Sequence, residues 1–391
     1  MCRVEDKDHL LQLIPKDYIY LTKIDNIIYN GQNLKTDYLI NIIHELTLKY
    51  SLTNEICHNI CSTILKRKYG KFYKHYVDYL VEKKFITLIS NYYVSKKSRT
   101  YKINDNIEYT NCKIHDKFLI KKHKKEFLVK NFIKDTDSPI DEKLRYILIE
   151  DLYHVEIDYD KSYTWLNKEK ENHTIDLQKY FLNLMAIEGI SGKYLYHQFD
   201  SYGRLHTNFT NLKKHIRNNY LTIDGLQLSE IDIKNSQPFF LAMFLKKEFG
   251  ENIPDGFNYY FDVVSNGLIY DMILDRYSHI YNSRDEVKIM IYKVIFGKNI
   301  DSKPESKIFK EVFPEVYNFI KKYKYNSDSY KELSHKLQRL ESDFIFGQVI
   351  TKIKEKFPHI RLFTVHDSII FPKKYKEEVN IIFKHYLKNI L

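Results

Sequence analysis

Two stretches decide the reading of this chain: LQLSEIDIKNSQP, residues 226–238, and IRLFTVHDSIIFP, residues 360–372. In the first, Leu226, Leu228, Glu230 and Asp232 alternate with Gln227, Ser229, Ile231 and Ile233. Period two is the signature of a strand, here ending at Asp232. In the second, Leu362, Thr364 and His366 alternate with Phe363, Val365 and Asp367, and Ser368, Ile369 and Ile370 resume a strand. Asp367 therefore sits at or near a hairpin turn. Two aspartates flanked by apolar strand formers are costly in a core, and a divalent cation joining them removes that cost. Alone the signal is weak, because a strand-end Asp is commonly a turn cap.

A third stretch changes the weighing. In NSRDEVKIMIYKVIFGKN, residues 282–299, Arg284, Lys288, Tyr292 and Phe296 recur every four residues and Gly297 follows. Four-residue steps on a 3.6-residue helix trace one slowly winding stripe. Two cations followed by two rings suit a nucleoside triphosphate, the cations meeting phosphates and the rings meeting base and sugar. The plainer alternative is an amphipathic helix with snorkelling basic residues.

Working outward, the chain has 391 residues, 62 Lys+Arg against 51 Asp+Glu, and a net charge of +11. The length suggests two or three domains at about 100–200 residues each. The basic balance favours polyanionic partners. Hydrophobic content of 43% supports real cores, and 11 Gly with 8 Pro exclude collagen-like and Pro-rich chains. Tyr and Phe are abundant (34 and 24) beside a single Trp, Trp165, a bias that an AT-rich genome also produces. Four cysteines are too few for a disulfide scaffold. Cys57 and Cys61 stand one helical turn apart around His58, and with no second pair at zinc spacing, burial on a helix is the expectation. No secretory signal and no run of about 18 apolar residues is present, so the chain reads as soluble and cytoplasmic, without a membrane partner.

The first 130 residues differ in character. Residues 36–70 carry apolar positions at helical spacing, and YKHYVDYLVEKK (73–84) is an amphipathic helix with Tyr73, Tyr76, Val77, Leu80 and Val81 as its stripe. FITLIS and YYVS, a basic turn SKKSR, and TYKIN then read as a hairpin. Helices followed by a basic-tipped hairpin resemble a winged helix. Lys66, Arg67, Lys68, Lys71, Lys74, Lys96, Lys97 and Arg99 would give it a positive face for phosphates or for a protein partner. A boundary is expected at or before Ser138-Pro139.

With these elements in hand, the chain resembles the family A DNA polymerases, the bacterial DNA polymerase I class, and more distantly the single-subunit phage RNA polymerases. Arg-x3-Lys-x3-Tyr-x3-Phe-Gly at 284–297 is similar to the family's motif B, VHDSIIFP to motif C, and LSEIDIKNSQP to motif A. GRLHTNFTNL, from Gly203, resembles the Gly-Arg-Leu segment. LQRLESDF, from Leu337, keeps the Gln and the later Asp of the helix before motif C. Five elements in family order over residues 202–372 are more specific than any one of them.

The resemblance implies an α+β right-hand palm and fingers at 202–391. It also implies a helical, reduced thumb or connecting region at 131–201 and a mostly helical winged-helix-like domain at 1–130. It implies a short form, with no room for a proofreading exonuclease. The acidic EDLYHVEIDYD (150–160) reads as a surface or turn segment. The implied activity is template-dependent DNA synthesis from a primer 3′-hydroxyl, with two Mg²⁺ ions or Mn²⁺ in their place. The short length suits a phage, plasmid or mobile element. Carried over residue by residue, Asp232 and Asp367 would be metal ligands, and Arg284 and Lys288 would grip the triphosphate. Tyr292 and Phe296 would pack on the incoming nucleotide with Gln237 near its sugar. Arg204, Asn211, Gln338 and His366 would meet the primer–template, with DNA and RNA both open as the template. The motifs depart from the family: motif A has two extra residues before Ser236-Gln237, the acidic sugar-gate position is Gln237, its customary tyrosine partner is Phe296 in motif B, and Ser368 replaces a Glu in motif C. These departures remove the expected barrier to a 2′-hydroxyl. Two alternatives stand beside this reading: a primer-independent RNA polymerase or primase, and a non-catalytic DNA-binding replication protein.

Overall fold

The computed structural model describes residues 9–24, 26–53, 57–91, 98–104, 108–122, 140–298 and 300–388. Lys96, Lys97, the second strand of the hairpin at 92–95 and the boundary near Ser138 lie outside them. The chain is α+β and forms two compact units, Met1–Lys130 with Tyr163–Tyr194, and Asn131–Ser162 with Leu195–Leu391. Among the described residues no helix is long and apolar enough to cross a membrane.

In the first unit, Leu10–Pro15 pairs antiparallel with Tyr109–Ile114. Asn26–Tyr29 and Gln32–Lys35 form a hairpin whose turn, Asn30-Gly31, has both residues at positive φ, the geometry a two-residue hairpin needs. The helix Thr36–Thr53 is followed by the strand His58–Asn59, the helices Ser62–Tyr69 and Tyr73–Glu82, and the strands Ile86–Ser90 and Thr100–Ile103. The last three strands make one antiparallel sheet with Thr100–Ile103 in the centre. The helix Tyr73–Glu82 buries Tyr76, Val77 and Leu80, as its periodicity predicts. Cys57 and Cys61 depart from expectation. Both are half-exposed, free, and flank the short strand rather than lying on a helix, because the chain needs an extended residue before the helix that Cys61 precedes.

The helix Leu177–Ser191 also belongs to this unit, so part of the region expected as a thumb packs with the N-terminal residues. Asn111, on the strand Tyr109–Ile114, holds this region in place by donating to the hydroxyls of Tyr163 at 3.1 Å and Tyr180 at 2.5 Å.

The second unit is built around a five-stranded antiparallel sheet. Its order is Phe363–Val365, Ser368–Pro372, Leu226–Ile231, Leu221–Ile223, Val155–Ile157. The Asp224-Gly225 turn, both residues at positive φ, closes the hairpin between the third and fourth strands. The strand Ser368–Pro372 is buried along its whole length, and the helix Ser236–Phe249 buries Phe239, Phe240, Leu241, Phe244 and Leu245 in the same core as Ile369 and Phe371 of that strand.

The acidic stretch 150–160 is a surface segment only in part: Glu150, Glu156, Asp158 and Asp160 are exposed, and residues 153–154 form a turn. Val155–Ile157 is the sheet's edge strand, and Asp151 is 5% exposed. Its carboxylate accepts from Lys354 Nζ and, at 3.0 Å, from the Leu362 amide, while Lys354 also donates to the Ile360 carbonyl at 2.8 Å. Burial raises the Asp151 pKa and the Lys354 charge opposes it. This pair pins the strand that leads to Asp367. Lys354→Ala leaves a buried carboxylate without its cation and is expected to cost about 3–5 kcal/mol, read as a lower midpoint in thermal or urea unfolding. The double replacement Asp151→Asn with Lys354→Met should cost less than the single one.

Candidate active site

Asp232 is the first residue past the strand Leu226–Ile231, and Asp367 occupies the turn between Phe363–Val365 and Ser368–Pro372. Ile231 pairs with Ile369 and Val365 with Ser368, so the two aspartates emerge side by side at one end of neighbouring strands. Asp232 is exposed and Asp367 half-buried. Burial raises the Asp367 pKa, a hydrogen bond from the Ser236 hydroxyl opposes the rise, and the negative charge of Asp232 adds to it. Left-handed backbone occurs beside both acids: His366 at φ 56° precedes Asp367, and Asn235 at φ 56° follows Asp232 by three residues. Asn tolerates this conformation and His does so less readily, so the turn at His366 carries some strain.

The helix Arg284–Phe296 forms where the sequence places it. The Ser283 hydroxyl accepts from the Glu286 amide at 3.3 Å, the Glu286 carboxylate accepts from the Asn282 amide at 2.9 Å, and Asp285 and Glu286 favour the positive end of the helix dipole. At the other end Lys324, 8% exposed, donates at 2.7 Å to the Val294 and Gly297 carbonyls. Desolvation draws its pKa down to about 7. Val287, Met290, Ile291, Val294 and Ile295 face the core. The opposite stripe is graded, with Arg284 and Lys288 exposed, Tyr292 and Phe296 half-buried.

Tyr292 on that stripe lies within the field of Asp367. Arg284 Nη2 lies 3.5 Å from Asn235 Oδ1, and its Nε lies 3.6 Å from Asp271, with the guanidinium over the Tyr270 ring. Lys288 Nζ stands 5.6 Å from the Tyr292 ring centre, and the Tyr292 and Phe296 rings are 5.3 Å apart. Burial raises the Tyr292 phenol pKa, and the negative fields of Asp367 and Glu341 add to it.

Arg204 is set by a turn. Asp200 Oδ1 accepts from the Tyr202 and Arg204 amides, each at 2.9 Å, and Gly203 supplies the positive φ between them. The Arg204 side chain then reaches Glu341, with Nε at 2.8 Å and Nη2 at 2.7 Å from Oε1. His366 has its pKa lowered by desolvation and then by the Arg204 charge, which places the two side chains in one field. Gln237 is 4% exposed and donates its amide to Glu341. The side chains of Asn211, exposed at the end of the turn Asn208–Asn211, and Gln338, half-buried on the helix Glu332–Ser342, make no hydrogen bond or ion pair among the described residues.

Glu341 escapes the sequence reading. It is 2% exposed and gathers Arg204, Ser236 and Gln237 on one carboxylate. A signal is present: Leu333, Leu337 and Glu341 fall at four-residue steps, placing an acid on the buried stripe of its helix. Directly after it the chain runs as a π-helix, Asp343–Ile350, a form that is rare and concentrated at functional sites.

Among the described residues no group of three or more His, Cys, Asp and Glu side chains forms a metal cage. Two carboxylates at adjacent strand ends, one of them raised first by burial and then by the charge of the other, nevertheless fit a hard dication that keeps part of its water shell and shares ligands with a phosphate.

No family model and no curated protein matches this chain. Among solved structures it is similar to the POL domain of Pol1 from M. smegmatis in complex with DNA primer-template and dNTP. The two share 14% identity at a TM-score of 0.41, and the match covers 69% of this chain and 63% of that one. The chain thus matches less than two thirds of that neighbour's length, and a likeness of this degree carries no residue roles across.

Proposed function

We propose that this protein is a template-dependent nucleotidyltransferase that extends a primer 3′-hydroxyl, with a palm-like sheet and a fingers-like helix in its second unit. The observation that carries the reading is the pair Asp232 and Asp367 at the end of one sheet, beside the Arg284–Phe296 helix whose tyrosine feels the charge of Asp367. Asp232 and Asp367 would hold Mg²⁺, or Mn²⁺, which when bound neutralises phosphate charge and favours the ionised attacking oxygen. Arg284 and Lys288 bind the triphosphate oxygens, and Tyr292 and Phe296 support the nucleoside. Arg204 and His366 orient the primer end, with Gln338 and Asn211 toward the nascent pair and the template. In the reaction the 3′-oxygen bonds to the α-phosphorus, the bond from that phosphorus to the pyrophosphate oxygen breaks, and the hydroxyl proton passes to solvent. Catalysis is mostly positioning and charge.

Over residues 36–103 of the first unit the order of elements is helix, strand, two helices and two strands, with the last strand central. It supports a winged-helix-like reading, with the exposed Lys66, Arg67, Lys71 and Lys74 meeting phosphates.

Primer extension on DNA and RNA templates, with deoxyribo- and ribonucleotides in parallel and a primer-free control, tests the reading. Extension that requires primer, template and Mg²⁺ is expected. Because Gln237 rather than an acid stands near the sugar, discrimination against ribonucleotides should not exceed about 10²-fold. Product from a primer-free template would favour the primase alternative. Nucleic-acid binding without any incorporation would leave the non-catalytic one.

A further inference from the structure

The buried carboxylate of Glu341 lies off the Arg284–Phe296 stripe, yet two other chain segments, at Arg204 and at Ser236-Gln237, converge on it. Oε1 takes both Arg204 nitrogens; Oε2 takes the Gln237 amide and, at 3.4 Å, the Ser236 hydroxyl. A carboxylate can only accept, so the NH₂ end of the Gln237 amide faces it, and the carbonyl oxygen is left over. That Oε1 of Gln237 is buried and has no hydrogen-bond partner among the described residues, a condition natural proteins seldom leave unanswered. The Ser236 hydroxyl has one proton and two acid neighbours, Glu341 and Asp367. The same carboxylate thus sets a guanidinium, the start of the helix after Asp232, and the orientation of an amide whose unsatisfied end is an acceptor. A hydrogen-bond donor is the complementary group, and the donors a nucleotide offers are its sugar hydroxyls and its base N–H groups.

We propose that Glu341 is a positioning residue of this site: it fixes Arg204 for the primer end and turns the Gln237 carbonyl into an acceptor for a nucleotide sugar hydroxyl, so that it tunes which sugar is incorporated. The proposal rests on the nucleotidyltransferase reading above. Glu341→Gln keeps the shape but removes the charge and supplies a competing NH₂, which frees the Gln237 amide to turn over. Arg204 loses its ion pair at the same time.

The test is single-nucleotide incorporation by the full chain, wild type against Glu341→Gln, Arg204→Gln and the double variant, measured with ribo- and deoxyribonucleotides. The expected loss in kcat/KM for Glu341→Gln is about 10- to 100-fold, the scale of removing a charged hydrogen-bond partner. Two readouts separate positioning from mere structure. The ribo-to-deoxy ratio should move by at least about fivefold, beyond what a uniform loss produces. The double variant should be no worse than its poorer parent, because Glu341 acts through Arg204. Glu341→Asp, which retains the charge, should recover part of the loss and serves if the Gln variant fails to fold. An unchanged sugar ratio together with additive losses overturns the proposal while leaving the activity in place. A wild type that incorporates nothing overturns the functional reading itself, and this proposal with it.

Discussion

Asp367→Asn is expected to abolish primer extension in a protein that stays folded. The asparagine keeps the shape of the turn and the contact with Ser236 but removes half of the charge that a dication would need. The loss should exceed the roughly 10²–10³-fold typical of one missing hydrogen-bond donor, because neutralising charge at the reacting phosphate is the strongest stabilisation this site can offer the transition state. Stability should move the other way. Burial first, and the neighbouring Asp232 charge, hold the Asp367 pKa above its ordinary value. A carboxyl raised on folding contributes stability that is full below its unfolded pKa and lost as pH rises through the folded one. At neutral pH the ionised side chain is therefore a burden, and its neutral replacement should unfold at the same or a higher temperature in chelator. Added Mg²⁺ should raise the midpoint of the wild type by the ordinary linkage of a bound ligand, about 1–3 kcal/mol at saturating concentration, and should fail to raise that of Asp367→Asn. Asp232→Ala should behave alike in extension. Full extension by either variant would remove the metal assignment, and equal Mg²⁺ stabilisation of wild type and variant would place the ion elsewhere.

What the sequence discloses and what it hides divide along the range of the interactions. The strand before Asp232, the turn holding Asp367 and the helix Arg284–Phe296 are written in local periodicity and capping, and the observed elements coincide with that pattern. That the two acids lie side by side follows from one register, Ile231 with Ile369, which no local pattern specifies. Asp151 looks like part of a solvated acidic run because its partner Lys354 lies 203 residues away. The helix Leu177–Ser191 joins residues far earlier in the chain through contacts such as Tyr180 to Asn111, so reading along the sequence gives it the wrong neighbours. Glu341 is legible as a charge on an apolar stripe, but its meaning comes from Arg204, 137 positions distant.

The second large effect should come from Lys288. On the exposed end of the stripe it makes no ion pair among the described residues, and only the Tyr292 ring lies under its amine. Arg284 by contrast already has Asp271 at 3.6 Å and Asn235 at 3.5 Å. A cation with no carboxylate partner has little to lose in the free protein: its contact with the ring is worth about 0.5–1 kcal/mol at an exposed position. Lys288→Ala should accordingly leave the unfolding midpoint nearly unchanged. Its whole cost falls on the bound nucleotide, where charge accumulates on the departing phosphates, and kcat/KM for incorporation should fall by about 10²–10³-fold. Because that charge grows as the bond breaks, kcat should drop as well as KM rise. Lys288→Arg should recover part of the rate, since the charge is kept while the geometry changes. Arg284→Ala should combine a smaller loss of rate with some loss of stability, because it also disturbs the contacts to Asp271 and Asn235. Unchanged kinetics in Lys288→Ala would reduce this helix to a structural element and take the triphosphate off its stripe.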